Sequence, residues 1–444
     1  MNSRLSSTNE SGGDPPDLDD YRWLVSPQAE NWLKTTRSAI DEQRISLPAL
    51  TARLRQQLSA SRAHLVLEQT ELRRKAADKF VAAERMYFLP VALEQATDQW
   101  VAAYKAGRFK EGQPVADLCC GIGGDLLALA QRGCVWAVDR NPAAVILAEA
   151  NLKVACGSDA SSQADGLKSD AGQGGVKFEV ADAADAADLL GNVAAWHIDP
   201  DRRPAGRRTT KVELHDPGPE VLARLLWICP NAAIKLAPAA DLTEPFWAEA
   251  ELEWIGRGRQ CRQLVAWFGD LAKHPGRRRA TVLRRPAVEG ESYPVDRQPT
   301  NVGIVAEPNR ACEVAAQIGR YVFEPDAAVL AAKLEGALAA AHRLLAIAPG
   351  IAYFTADEPT QSVALDCFEV LEVMQYRPKI IKQWLANRGI GRLEVKKRGV
   401  PLDPAQVRRE VLGSSDGAEE VTLLLARIGD RVTAILAKRV KSWA

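Results

Sequence analysis

The stretch Pro114-Val-Ala-Asp-Leu-Cys-Cys-Gly-Ile-Gly-Gly-Asp-Leu126 decides the fold. Its first half is a short apolar run of the kind that builds a buried strand. Its second half sets Gly121, Gly123 and Gly124 ahead of the helix-forming run Leu126-Leu-Ala-Leu. A strand that turns on glycine into a helix lets the backbone approach a ligand closely, with the first helical N–H groups exposed to it. Outward from this turn, apolar runs alternate with helical stretches. The runs are Pro114 to Cys119, Cys134 to Asp139, Val176 to Val180, Ala194 to Asp199, Ala232 to Leu236, Leu252 to Ile255 and Leu264 to Phe268. This predicts an α/β fold: a doubly wound, mostly parallel sheet of these seven strands, covered on both faces.

A chain of 444 residues, 47% hydrophobic, exceeds what one core organises and implies two or three domains. Lys+Arg 57 against Asp+Glu 57 excludes a polycation that coats nucleic acid or membrane by bulk attraction. Eight cysteines without a C-x-x-C pair argue against a disulfide framework and against zinc, so a reduced chain with no metal is expected. Residues 1–20 are polar, lack the layout of a secretory leader and read as a disordered tail. No apolar run is long enough to cross a bilayer, which predicts a cytoplasmic protein without membrane contact. The expected organisation is a helical segment over 21–112, the strand-and-helix domain over 113–285, a linker over 286–312 and a smaller α+β domain over 313–444. Gly157 to Gly175 reads as a surface insertion, and Gly429-Asp430 as the turn of a hairpin near the C-terminus.

Acids follow the glycine turn at regular structural positions. Asp117 opens it, Asp139 ends the second strand about twenty residues on, where a carboxylate accepts ribose hydroxyls, and Asp182 follows the third strand, where it meets an adenine amino group. A dinucleotide fold wants a third glycine at 126, where this chain has Leu126, which argues against a nicotinamide-dependent oxidoreductase. Each acid taken alone also reads as a helix cap. Taken together with the turn, the three acids resemble class I S-adenosylmethionine-dependent methyltransferases. That resemblance implies S-adenosylmethionine as cofactor, held by Asp117, Cys119, Gly121, Gly123, Asp139 and Asp182. Cys119 and Cys120 read as small buried side chains rather than nucleophiles.

At the tip of the fourth strand lies Trp196-His-Ile-Asp-Pro-Asp-Arg-Arg203, followed by Arg207, Arg208 and Lys211. Asp199 is placed to orient or deprotonate a methyl acceptor, and Arg202 with Arg203 to contact phosphate or stack on a base. A structural loop of arginines paired around Asp201 is the competing reading. Lys235, ending the fifth strand, either reaches substrate beside Asp199 or only neutralises it. Arg257-Gly-Arg-Gln-Cys-Arg-Gln263 adds positive charge that favours a lowered thiol pKa at Cys261, which is nonetheless read as a passenger.

The ordered series Leu93-Glu-Gln-Ala-Thr97, Val101-Ala-Ala-Tyr-Lys105, the glycine turn, Asp199-Pro-Asp-Arg-Arg203 and Lys235-Leu-Ala-Pro238 resembles a bacterial family of class I methyltransferases with a THUMP-like C-terminal domain. The resemblance implies a Rossmann-like seven-stranded methyltransferase sheet and an RNA substrate, tRNA or rRNA. Gln95 and Lys105 are then expected to reach over cofactor or substrate. Tyr353-Phe-Thr-Ala-Asp-Glu-Pro359 and Arg388 to Gly399 carry the THUMP-like part, where Lys396, Lys397 and Arg398 are expected to dock RNA. A solvated charged face is the other reading of that run. A non-catalytic RNA-binding protein with a degenerate methyltransferase fold is the alternative for the whole chain.

Overall fold

The computed structural model describes residues 15–157, 175–203, 209–284, 300–412 and 417–440. The expected insertion, most of the expected tail, and Arg207 with Arg208 lie outside them. The chain divides into two compact units, the first running to Ile234 and taking in Gly269–Leu271, the second holding the rest of the described chain from Lys235 onward.

Four helices, Leu18–Leu24, Pro27–Asp41, Leu47–Arg55 and Ala60–Ala76, open the first unit. Helix Leu18–Leu24 begins inside the expected tail because Asp17 caps it, its side chain accepting from Asp20 N at 2.9 Å, while Asp20 in turn receives Arg62 Nε at 3.0 Å. Two short helices follow, Pro90–Gln95 and Gln99–Ala106, and Asp98 caps the second, accepting from Val101 N. Leu33, Leu65, Val66, Phe80 and Phe88 bury together with Ile122 of the glycine turn and Leu147 of helix Pro142–Ala155. Asn151 on that helix, fully buried, fixes the contact. Its Oδ1 accepts from Tyr87 N at 2.7 Å, and its Nδ2 donates to Tyr87 O and Ile122 O at 2.9 Å.

Strands β1 (Val115–Leu118), β2 (Val135–Asp139), β3 (Val176–Val180), β4 (Ala195–Ile198) and β5 (Ala232–Leu236) follow, and all seven strands expected from the sequence are present once β6 (Glu251–Arg257) and β7 (Gln260–Trp267) are added. In the first unit the order is β3-β2-β1-β4-β5, every pair parallel, with Asp117 of β1 in register with His197 of β4. Because β2 lies on one side of β1 and β4 on the other, the strand order reverses there, and such a switch point leaves a crevice beyond the strand ends.

The second unit holds β6 and β7 as an antiparallel hairpin, then β8 (Arg278–Arg284) parallel to β6 and β9 (Thr300–Ala306) antiparallel to β8. Strand β9 lies within the stretch expected as linker and pairs along the whole of β8. Helix Ala327–Ala331 starts close against β6. A Cβ on Gly256 would meet the Asp326 side chain at 2.5 Å and Ala328 Cβ at 2.9 Å, so only glycine admits the helix start this close. A seven-stranded sheet completes the unit, from β10 (Tyr321–Pro325), β11 (Leu345–Ala346), β12 (Phe354–Ala356), β13 (Leu365–Gln375), β14 (Ile390–Arg398), β15 (Glu419–Ile428) and β16 (Arg431–Arg439), in the order β11-β12-β10-β13-β16-β15-β14. The expected hairpin is β15–β16, turning at Gly429 with φ +57. No helix among the described residues is long and apolar enough to cross a membrane.

Candidate cofactor and acceptor site

A cavity of about 240 Å³ opens at the switch point in the first unit. The turn that forms its floor depends on two conformations that favour glycine, Gly121 at φ +56 and Gly123 at φ +93, while a Cβ on Gly124 would press on the Thr97 backbone at 3.1 Å. Cys119 shares the left-handed region at φ +57 and lines the wall. Burial, then the nearby carboxylates of Asp139, Asp199 and Asp117, push its thiol well above the ordinary value, so it stays protonated. Cys261 is likewise pushed up to about 12, by burial and then Asp326, which corrects the expectation that basic neighbours would lower it.

Seven carboxylates line this cavity, Asp117, Asp125, Asp139, Asp182, Asp199, Asp201 and Asp216, against Arg140 and His197. Asp139 accepts from Gly121 N with Oδ2 and Asn141 N with Oδ1, both at 2.8 Å. Burial raises its pKa, and those two amides oppose the rise. Asp182 turns one oxygen onto Ala184 N at 2.8 Å. On the opposite wall Asp201 Oδ1 accepts from Gln95 Nε2 at 3.1 Å and from Arg203 N at 2.9 Å. The Arg140 guanidinium lies between Asp201 and Asp216.

Beneath the cavity runs a buried chain of charges that sequence reasoning missed. Asp117 Oδ1 meets His197 Nδ1 at 2.7 Å, and His197 Nε2 meets Lys105 Nζ at 3.2 Å. Lys105 pairs with Asp125 Oδ1 at 2.6 Å, and Asp125 Oδ2 accepts from Thr97 Oγ1 at 2.6 Å. The partners assign the imidazole: a carboxylate only accepts, so Nδ1 carries the proton, and an ammonium only donates, so Nε2 presents its lone pair. His197 is thereby a neutral link, and Lys105 answers Asp125. The buried Oδ2 of Asp117 finds no hydrogen-bond partner among the described residues. Burial raises the Asp117 pKa, opposed by the His197 hydrogen bond. The signal for this network was a histidine inside the apolar strand Ala195-Trp-His-Ile198, since a buried polar group requires partners.

Of the residues proposed from sequence, Gln95, Asp117, Cys119, Gly121, Asp139, Asp182 and Asp199 line one cavity. Gly123 shapes the turn behind it. Lys105 does not reach over the cleft. It is 2% exposed, held beneath by Asp125 and His197. Arg202 and Arg203 are not part of the cavity wall, and Arg203 Nη2 pairs with Glu94 Oε2 at 2.7 Å. Lys235 is buried on β5. In the second unit Lys396 and Arg398 are tied to Glu324 at 2.6 and 3.1 Å, whereas Lys397 is exposed.

A THUMP domain-like family model matches residues 365–439. Two Mycobacterium tuberculosis proteins, from strains CDC 1551 and H37Rv, both described as uncharacterized S-adenosylmethionine-dependent methyltransferases, are 31% identical to this chain over 380 residues. The match covers 83% of this chain and 94% of theirs. A crystal structure of a candidate methyltransferase from Porphyromonas gingivalis W83 superposes with a TM-score of 0.71 at 17% identity, covering 96% of this chain and all of that one.

Proposed function

Because the chain belongs to the S-adenosylmethionine-dependent methyltransferases, we propose that it methylates a nucleobase in RNA, tRNA or rRNA. The observation that carries the reading is the seven-carboxylate cavity built on a glycine bend. Such a wall favours a cationic nucleoside and repels the pyrophosphate of a dinucleotide. The residues fit the cofactor. Asp117 Oδ2 is a buried acceptor in need of a donor, which an α-ammonium supplies. Asp139 takes the ribose hydroxyls, Asp182 the adenine amino group, and Gly121 with Cys119 lets the backbone close on the methionine part.

When bound, S-adenosylmethionine supplies an electrophilic methyl on a sulfonium that leaves as a neutral thioether. The protein's task is alignment of the acceptor and exclusion of water. Asp199, at the tip of β4, receives a hydrogen bond from the acceptor nitrogen and takes its proton as the new N–C bond forms. Gln95, held on Asp201, walls the acceptor side. Arg202 and Arg203 supply phosphate contacts next to it. The THUMP-like match at 365–439 supports RNA as the acceptor.

Incubation with methyl-labelled S-adenosylmethionine and total cellular RNA, followed by nucleoside mapping, tests the reading. A single labelled base is expected. Cofactor binding with no labelled RNA, in the presence of intact RNA binding, would leave the non-catalytic alternative.

A further inference from the structure

We propose that a second cavity, in the second unit, binds a phosphate group, and that the group is a backbone phosphate of the RNA. The phosphate is read from the cavity itself, and its source rests on the function proposed above. The cavity measures about 360 Å³ and gathers five cations, Arg257 ending β6, Arg259 in the β6–β7 turn, Arg284 ending β8, and Lys396 and Arg398 on β14. Side chains this far apart in sequence converge on one wall only because β6, β8 and β14 fold into the same unit.

Its acids are Glu324, Asp326 and Asp366. Glu324 holds Lys396 and Arg398, and Asp366 holds Arg259 at 3.3 Å, Arg284 at 3.9 Å and Arg439 at 3.0 Å. Arg439 also pairs with Glu394 at 2.6 Å. With Arg257 set aside, the lining and these two neighbours still put five cations, Lys396, Arg398, Arg259, Arg284 and Arg439, against four acids, so the cluster favours an anion. The acids offset part of that charge and also fix the guanidinium planes, and fixed forks suit the several acceptor oxygens of a phosphate. Arg398 Nε is a buried donor with no hydrogen-bond partner among the described residues.

The turn carries a further sign. Gly258 and Arg259 both lie in the left-handed region, at φ +61 and +62, where glycine or asparagine normally sits. An arginine there is disfavoured by the backbone, and it supplies a cation to the cavity wall.

The test uses the full-length protein with inorganic phosphate, followed by calorimetry, and a fluorescein-labelled single-stranded oligoribonucleotide, followed by anisotropy over a salt series. Arg259→Asn suits the turn better than the native residue, so its melting temperature is expected to hold; Arg284→Gln is the second variant. Each is expected to weaken phosphate binding about 10-fold and to lower the salt slope of RNA binding by about 0.7, the value for one lost cation on a single strand. Phosphate and RNA affinities unchanged in both folded variants would overturn the site, even if labelled RNA were obtained. Phosphate binding lost in the variants, while RNA neither binds nor is methylated, would keep the site and overturn both RNA as its source and the proposed acceptor.

Discussion

Two clusters of paired charges, one in each unit, differ chiefly in burial, and burial decides what their charges do. Asp117, His197, Lys105 and Asp125 are all buried, and each is locked to the next by a short contact. Glu324, Asp366 and their arginines line an open cavity, with Arg259 54% exposed. In the first cluster no member can be removed without stranding another in a low dielectric. In the second, water shares the work. A dry network therefore positions, and a wet one binds.

The comparison is broken most forcefully at Asp199, which lines the cavity above the dry network. Asp199→Ala is expected to lower methyl transfer by about 10²–10⁴-fold, the usual contribution of a positioned proton acceptor. Calorimetry should find S-adenosylhomocysteine affinity unchanged. Normal turnover with weakened cofactor binding would return Asp199 to the cofactor and leave the acceptor unassigned.

Lys105→Met is the next largest test. It removes the buried Nζ that Asp125 meets at 2.6 Å and His197 at 3.2 Å, at an expected cost of about 3–5 kcal/mol in urea unfolding. Lys396→Met in the other cluster, where Arg398 still answers Glu324 and Arg439 still answers Glu394, should cost less, about 1.5 kcal/mol. Equal losses would show that burial does not separate the clusters.

Acid titration sharpens the contrast through opposite signs. Burial holds Asp117 and Asp139 above the ordinary 3.8, so the native state binds their protons more tightly than the unfolded chain, and their share of stability falls as pH rises from 3.8 through the raised values. Cofactor affinity moves the other way, weakening as acid protonates Asp139 at a pH above 3.8. Glu394 is also pushed up by burial, but its bond from Arg439 and the charge of Lys396 bring it below 4.5. Its contribution is present above 4.5 and is lost as pH falls toward the native value. Carboxyl-carbon shifts followed by NMR check all three. A Glu394 midpoint above 4.5 would remove the contrast.

The smallest effect is expected at Lys397, which is exposed on β14 between two tied cations. Lys397→Glu should weaken RNA binding only a few-fold, with the slope against salt falling by about 0.7 for the lost cation and somewhat more for the added charge. An unaltered slope would remove Lys397 from the RNA path.

Local patterns were legible from sequence, and distant partnerships were not. Alternating apolar runs and the glycine bend announced β1 to β7, and the Gly429-Asp430 pair announced the last hairpin. Strands β8 and β9 were missed because arginines at both ends of Arg278-Arg-Ala-Thr-Val-Leu-Arg284 mask its short apolar run and Thr300–Ala306 falls in the expected linker, although the two pair along their whole length. The acids of the cavity wall were visible because they stand at strand tips. Lys105 was misplaced because its partners lie 92 positions away at His197 and in the glycine turn at Asp125, and spacing along the chain carries no trace of that. The same holds for the run Arg388 to Arg398, whose positive charge is partly answered by Glu324 from another strand.

The Asn151 amide, which accepts from the Tyr87 backbone through its oxygen and donates to both Tyr87 and Ile122 through its nitrogen, makes the helical prologue and the glycine bend a single inheritance. A gene trimmed to begin at the first strand would encode a protein with bare donors and acceptors at its heart, as well as an Asp125 bereft of both Thr97 and Lys105. Lineages that recombine catalytic sheets as interchangeable parts would have to carry the upstream helices along with this one.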